Sequence, residues 1–167
     1  MNFEFYLKIF NNAAAKLDRT RLQRKALELN VGTVLESVYL KLYKLNWVSD
    51  ASNPLTAESR IFFSIWLNDQ TLNQNKLFYN IHALKLRKLK GYSIASREFA
   101  AHFRREFGKK QGNWKNASVD HGPLTLMEGW IEYNESDLET SIVSLAENFI
   151  KIESLIDNSL KAFKTSD

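Results

Sequence analysis

The stretch SDLETSIVSLAENFIKIESLIDNSL, residues 136–160, sets the expectation for the fold. Ser136 and Glu139 match the S-x-x-E pattern of a capping box, in which each side chain bonds a backbone amide at the start of a helix. Apolar residues then recur at steps of three and four, which keeps side chains on one helical face. We therefore predict a long buried helix with an apolar row of Leu138, Ile142, Leu145, Phe149, Ile152, Ile156 and Leu160.

The rest of the chain shows similar spacing, which favours further helices at 3–17, 27–45, 61–84 and 93–108. The segment 27–45 is either one helix that passes through Gly32 or two shorter helices that meet there, and the amide-rich run 68–76 indicates a break or a solvated turn within 61–84. Phe99, Phe103 and Phe107 form a ridge at four-residue steps that we expect to face the core. The segment 121–133 fits either a short helix or a small hairpin, and we favour the helix. The sequence thus predicts an all-α fold, a single-domain bundle over residues 1–167 with about five to seven helices.

Composition limits the class of protein further. With 44% apolar and 25% charged residues, the chain has the make-up of a folded domain and not of a disordered one. The absence of cysteine excludes disulfides and thiolate zinc sites. Charges at Glu4 and Lys8 interrupt the apolar start, and no uncharged run approaches the roughly 20 residues that span a bilayer. We expect a cytoplasmic protein without a membrane partner.

A local basic segment is the clearest functional signal. Residues 82–110, HALKLRKLKGYSIASREFAAHFRREFGKK, carry a net charge of +7, whereas the whole chain carries +4. Such a surface attracts phosphates or acidic protein surfaces. Because the three phenylalanines have core spacing, only Tyr92 and Trp114 remain as stacking candidates. The predicted binding residues are Lys85, Arg87, Tyr92, Arg97, Arg104, Arg105 and Trp114.

Two kinds of partner remain open for this basic segment. Residues 111–167 carry a net charge of −6, so charge pairing within the chain, or between copies, explains the pattern as well as nucleic acid does. We favour a protein partner or self-association, with nucleic acid second. No small-molecule ligand follows from the sequence. We therefore expect a non-catalytic binding protein more than an enzyme.

Catalytic and metal-binding patterns are sparse. Glu98, His102 and Glu106 share one face of a predicted helix and could in principle hold a metal ion, but a solvated face with ordinary pairing explains them better. No glycine-rich phosphate loop and no G-x-S-x-G nucleophile elbow is present in the sequence. We predict neither a cofactor nor a metal.

One string does match a known catalytic signature. Arg97-Glu-Phe-Ala-Ala-His102 resembles the R-x4–6-H motif of HEPN ribonucleases and toxins. That resemblance implies an all-helical, metal-independent ribonuclease in which Arg97 and His102 act on RNA at a dimer interface. A histidine that moves the 2′-hydroxyl proton and an arginine that stabilises phosphate charge would suit that chemistry. This ribonuclease is the alternative to a binding protein.

Overall fold

A five-stranded antiparallel sheet carries the fold in a computed structural model that describes residues 1–166. Each strand pairs with the next one along the chain, so the strand order in the sheet follows the sequence. The strands are β1 (Glu28–Val34), β2 (Ser37–Tyr43), β3 (Arg60–Leu67), β4 (Lys76–Leu84) and β5 (Thr125–Glu132).

Helices cover one face of this sheet. The helices are α1 (Phe3–Ala15), α2 (Arg19–Arg24), α3 (Asp69–Asn73), α4 (Ser96–Gly108), α5 (Leu138–Ile152) and α6 (Ser154–Lys161). α1 packs on β1, β2 and α5, while α4 packs on β5 and α6. Phe10, Phe63 and Phe149 are fully buried in the apolar core between the two layers.

The prediction of an all-α helical bundle is wrong, because the structure is an α+β fold. Residues 27–45 and 61–84, predicted as helices, form most of the sheet. Their apolar residues alternate, as in Ile61, Phe63, Ile65 and Leu67, and this period of two places every second side chain in the core. Aromatic residues of the opposite face occupy the positions between these core residues. The resulting run of apolar residues resembles the spacing of a helix.

The turn between β1 and β2 lacks the usual sequence signal. Leu35 and Glu36 have φ of +45° and +61°, which is the conformation of a two-residue type I′ turn. Such turns favour Asn-Gly, so Leu-Glu gave no hint of a hairpin. Gly32 lies in β1, where a Cβ would approach the Tyr39 hydroxyl to 2.8 Å. Glycine is needed at this position because the Tyr39 ring packs closely against it. Gly32 thus lies within a strand and does not break a helix.

The segment 121–133 forms neither the favoured short helix nor a local hairpin. Its residues 125–132 are β5, which pairs with β4 across a long connection that contains α4. Pairing over such a separation leaves no local pattern to detect. The connection then returns along the outer side of β5, where Ser118 and Glu128 exchange two backbone hydrogen bonds.

Three helical expectations, at 3–17, 93–108 and 138–160, are confirmed with shifted ends. Every member of the predicted apolar row in 138–160 is buried, and so are the three phenylalanines of α4. The C-terminal row, however, is divided between α5 and α6 at Glu153. The capping box at its start joins Asn134 and Asp137 and not Ser136 and Glu139.

No helix within residues 1–166 is both long and apolar enough to cross a membrane. The cytoplasmic location stays a prediction from the sequence.

Candidate functional site

The face of the sheet opposite the helices carries a row of polar side chains across four strands. Lys41, Ser64, Asn80 and Glu128 are cross-strand neighbours on β2, β3, β4 and β5. The Ser64 hydroxyl donates to Asn80 Oδ1 at 2.7 Å, and Asn80 Nδ2 donates to Glu128 Oε2 at 3.4 Å. The row thus has a cation at one end and a carboxylate at the other.

Aromatic rings border this polar row on both sides. The register places Tyr39, Trp66, Phe78 and Trp130 in one neighbouring row, and the Trp66 and Phe78 rings lie 5.0 Å apart. Phe62 stacks on His82 on the other side, with ring centroids separated by 5.4 Å. We call this surface the open face. The open face therefore has a central row of hydrogen-bonding side chains with apolar aromatic rings on both sides.

Lys41 is held between two of these rings. Its Nζ lies 4.3 Å from the centroid of Tyr39 and 4.5 Å from that of Phe62, within the range of cation–π contacts. Burial, with a smaller contribution from the positive charge of Arg60, lowers the pKa of Lys41 to about 8. Within residues 1–166, Lys41 forms no ion pair.

Arg60 is a second half-buried cation at the same end of the open face. One of its terminal nitrogens donates to Ala57 O at 2.5 Å, whereas its buried Nε has no partner among the described residues. Burial also lowers the pKa of the Arg60 guanidinium. The two cations therefore lie near each other with incomplete compensation of their charge.

A cleft of about 410 Å³ connects these groups. Its floor is the open face from Lys41 and Arg60 to Glu128, and Val34 and Leu35 of the β1–β2 turn form part of its wall. A cleft with apolar walls and a few converging polar groups is a typical binding site for a small molecule. Because the charges of Lys41 and Arg60 are poorly compensated, this cleft favours an anionic ligand.

The residues predicted to form a binding surface differ in their exposure. Arg87, Arg97 and Arg105 are exposed, and Lys85 is exposed beside Glu58 at 3.5 Å. Tyr92 is half-buried, whereas Trp114 lies in the core against Phe63, Tyr79 and Phe107. The Trp114 ring is thus enclosed by protein and not presented on the surface.

Arg104 has a structural position. Its Nε and terminal nitrogen donate to the carbonyl oxygens of His121, Gly122, Thr125 and Leu126 at 2.8–3.1 Å. These bonds attach the loop before β5 to α4. Arg104 therefore stabilises the fold, and its guanidinium is engaged by these carbonyls. Arg105, one residue later and exposed, is the better probe of the basic surface.

The acidic C-terminal region pairs with a different part of the chain. Glu139, Glu147 and Glu153 form ion pairs with Lys16, Arg21 and Lys25 respectively. Within residues 1–166, no ion pair joins the basic segment to residues 111–166. The suggested charge pairing inside one chain is therefore not the arrangement that this structure shows.

Arg97 and His102 occupy different environments on α4. Arg97 is exposed, while His102 is half-buried with Nδ1 3.0 Å from the Ser159 hydroxyl and its ring against Phe163. The all-helical fold implied by the HEPN resemblance is absent, and the ribonuclease activity stays a prediction. Groups of three histidine, aspartate or glutamate side chains placed to hold a metal are not found within residues 1–166.

Sequence reasoning missed Lys41, Arg60 and the open face. The available signal was the alternation in SVYLKLY (37–43) and RIFFSIWL (60–67), where polar or aromatic residues separate aliphatic ones. Reading those segments as strands would have placed Lys41 and Ser64 on one face. Comparisons with protein-family models, with curated proteins and with solved structures find no match to this chain.

Proposed function

We propose that this protein is a non-catalytic binding protein that takes an organic anion on the open face of its sheet. One observation carries the proposal: Lys41 and Arg60 are half-buried cations at one end of an aromatic-lined cleft, without a carboxylate partner among the described residues. A bound carboxylate or phosphate would compensate both charges where desolvation makes each one costly.

The cleft also indicates the body of the ligand. Its volume of about 410 Å³ falls within the range of small-molecule sites. The half-exposed rings of Trp66 and Phe78 favour an apolar or aromatic body next to the acidic group. Exposed cations at Arg87, Lys88 and Lys90 follow β4 closely and would raise the local concentration of anions.

Binding of an anion should be coupled to proton uptake. The pKa of Lys41 is lowered to about 8, so near that pH only part of the free protein carries the charge. An anion beside Nζ favours the protonated form and raises this pKa. Near pH 8 the complex should therefore take up a fraction of a proton, and affinity should fall as the pH rises further.

The test uses 1-naphthyl phosphate as the anionic probe and 1-naphthol as its neutral counterpart. We expect the phosphate to bind with a measurable heat and to shift the amide resonances of β2, β3 and β4, and the naphthol to bind more weakly. Lys41→Met should weaken phosphate binding by about tenfold or more, because the variant cannot donate a charged hydrogen bond to the phosphate. Titrations in buffers of different ionisation enthalpy measure the proton uptake.

Lys8→Met provides the matched control, since Lys8 is an exposed lysine of α1 on the other layer. Its affinity for the probe should equal that of the native chain. Equal binding of naphthol and naphthyl phosphate, or an unchanged affinity in Lys41→Met, would contradict the proposal. Resonance shifts confined to the helical layer would contradict it as well.

A second candidate partner is nucleic acid or an acidic protein surface bound by the basic segment. The observation in its favour is that Arg97 and Arg105 are exposed on α4 and form no ion pair within residues 1–166. If they neutralise phosphates, Arg97→Ala with Arg105→Ala should weaken binding of a single-stranded oligonucleotide. The slope of log K against log salt should become shallower by about 0.7 for each phosphate that the variant no longer neutralises. A salt dependence unchanged by both substitutions would reject this partner.

A further inference from the structure

The outer edge of β1 has unpaired backbone groups. In a two-residue hairpin the residues that flank the turn, here Val34 and Ser37, form a hydrogen-bonded pair. Alternate residues of β1 therefore bond to β2, and the amides and carbonyls of Leu29, Val31 and Thr33 point away from the sheet. Within residues 1–166 no other backbone segment pairs with these groups.

The two edges of the sheet differ in whether their outward backbone groups are covered by another segment. The β5 edge is covered by the returning loop, through the two hydrogen bonds between Ser118 and Glu128 at 2.7 and 3.0 Å. β1 has neither a lysine nor a proline, which are common devices against pairing with another chain. Its central residues, 29–33, are uncharged. This edge can accept one more antiparallel strand.

One end of the β1 edge has an exposed leucine, and the other end has a cleft. At the turn, Leu35 is 91% exposed, the largest exposure among the big apolar residues of the described chain. At the start of β1 lies a cleft of about 330 Å³ that is lined by the polar residues Arg19, Gln23 and Glu28 and by the apolar residues Leu22, Ala26, Leu27 and Leu29. Leu35 and Leu27 are each four residues from Val31, on opposite sides of it. A two-fold axis through Val31 would therefore bring each leucine to the other copy's cleft.

We propose that the partner of this edge is a second copy of this chain, paired antiparallel through β1 about an axis at Val31. Leu29 then lies opposite Thr33 of the other copy, and Leu35 enters the cleft beside Leu27. Such an interface is isologous, so each favourable contact occurs twice. The result is a continuous ten-stranded sheet made from two sets of five strands.

The cleft carries charges of both signs, Arg19 and Glu28, and the register determines which of them Glu36 meets. Glu36 is exposed next to Leu35, and Arg19 is exposed at the rim of the cleft. Neither side chain forms an ion pair within residues 1–166. In the dimer the carboxylate of Glu36 approaches the guanidinium of Arg19 from the other copy. The pairing also places no two like charges directly opposite each other, because Glu28 faces Val34 of the other copy, Glu36 faces Ala26, and 29–33 are uncharged.

The test combines mass measurement with amide exchange on the full chain. Sedimentation equilibrium should give the mass of two chains. Leu35→Asn should weaken dimerisation by about a hundredfold, because each dimer then buries two fewer leucine side chains. Asparagine suits a positive φ, so this variant should keep the stability of the monomer. Leu124→Asn, which changes an exposed leucine far from β1 in sequence, should dimerise like the native chain.

Amide exchange identifies which surface forms the dimer. The outward-facing amides of Leu29, Val31 and Thr33 should become protected as the protein concentration rises, and Leu35→Asn should remove that protection. A native chain that remains monomeric at high concentration overturns the proposal. So does a dimer whose three outward amides exchange as fast as exposed backbone, because it would use another surface.

Discussion

Phe149→Ala should lower the free energy of unfolding by about 3–5 kcal/mol, the range for removing a large aromatic side chain from a packed core. Phe149 lies on α5 and is fully buried. Its ring stacks on Phe63 of β3 with centroids 4.4 Å apart, and Trp47 packs against it edge-on. Truncation therefore opens a cavity between the helical layer and the sheet, where neighbours on rigid strands relax little.

Chemical denaturation followed by tryptophan fluorescence and by circular dichroism measures this change in stability. Phe3→Ala is the control, since Phe3 is 38% exposed at the start of α1. Its change in stability should stay below about 1 kcal/mol. A Phe149→Ala protein as stable as the control would show that α5 is not a core element of the fold.

Lys44→Ala should destabilise the protein by about 3–5 kcal/mol, because it leaves carboxylates near the core without their cation. Lys44 Nζ lies 2.6 Å from Glu153 Oε2 and 2.5 Å from Asp157 Oδ2. The side chains of Lys44 and Glu153 are only 10% and 6% exposed. Trp47 Nε1 adds a hydrogen bond to Asp157 at 2.7 Å. This cluster joins the segment after β2 to the junction of α5 and α6.

Lys16→Ala is the matched control, because Lys16 also pairs with a glutamate but its side chain is 59% exposed. Exposed ion pairs contribute about 0–1 kcal/mol, so this variant should remain close to the native protein. Equal destabilisation of the two variants would mean that the Lys44 cluster is solvated in solution. Thermal and chemical denaturation at neutral pH distinguish these outcomes.

Lys44, which is buried, and Lys41, which is half-buried, should affect stability at high pH in opposite ways. Burial lowers the pKa of Lys44, but its hydrogen bonds and charge interactions with Asp157 and Glu153 outweigh burial and raise it above 10.5. Its contribution is thus complete below about pH 10.5 and disappears as the pH rises further. Lys41, with a pKa of about 8 in the fold and 10.5 as its reference value, costs stability while it is charged, so this cost is relieved and stability rises as the pH increases from about 8 to 10.5.

The helical part of the fold was largely predictable from the sequence. α1, α4 and the pair α5–α6 lie on the surface of the sheet and bury a single stripe each, so their apolar residues follow the helical period. Phe99, Phe103 and Phe107 show this relation directly, because all three are fully buried. The exact start of the C-terminal helices was harder to predict. The capping box is formed by Asn134 and Asp137, two residues before the similar S-x-x-E pattern at Ser136.

The sheet was harder to predict from the sequence, because both of its faces carry large side chains. On β3, Phe62 and Trp66 of the open face alternate with the core-facing residues Ile61, Phe63, Ile65 and Leu67. This mixture hides the alternation of a half-buried strand, and a continuous apolar run fits a buried helix equally well. The Leu35-Glu36 turn and the long connection to β5 removed the remaining local signals.

By itself, the sequence determined the amphipathic helices, the lack of cysteine chemistry and the presence of a strongly basic segment. Only the tertiary structure decided what the charges do. Arg104 and Lys44 became structural because folding brought carbonyls and carboxylates from distant positions around them. Lys41 and Arg60, 19 positions apart in the chain, came together as incompletely compensated cations. Strand pairing fixes such neighbours through hydrogen bonds between backbones, and these carry no signature in the side chains themselves.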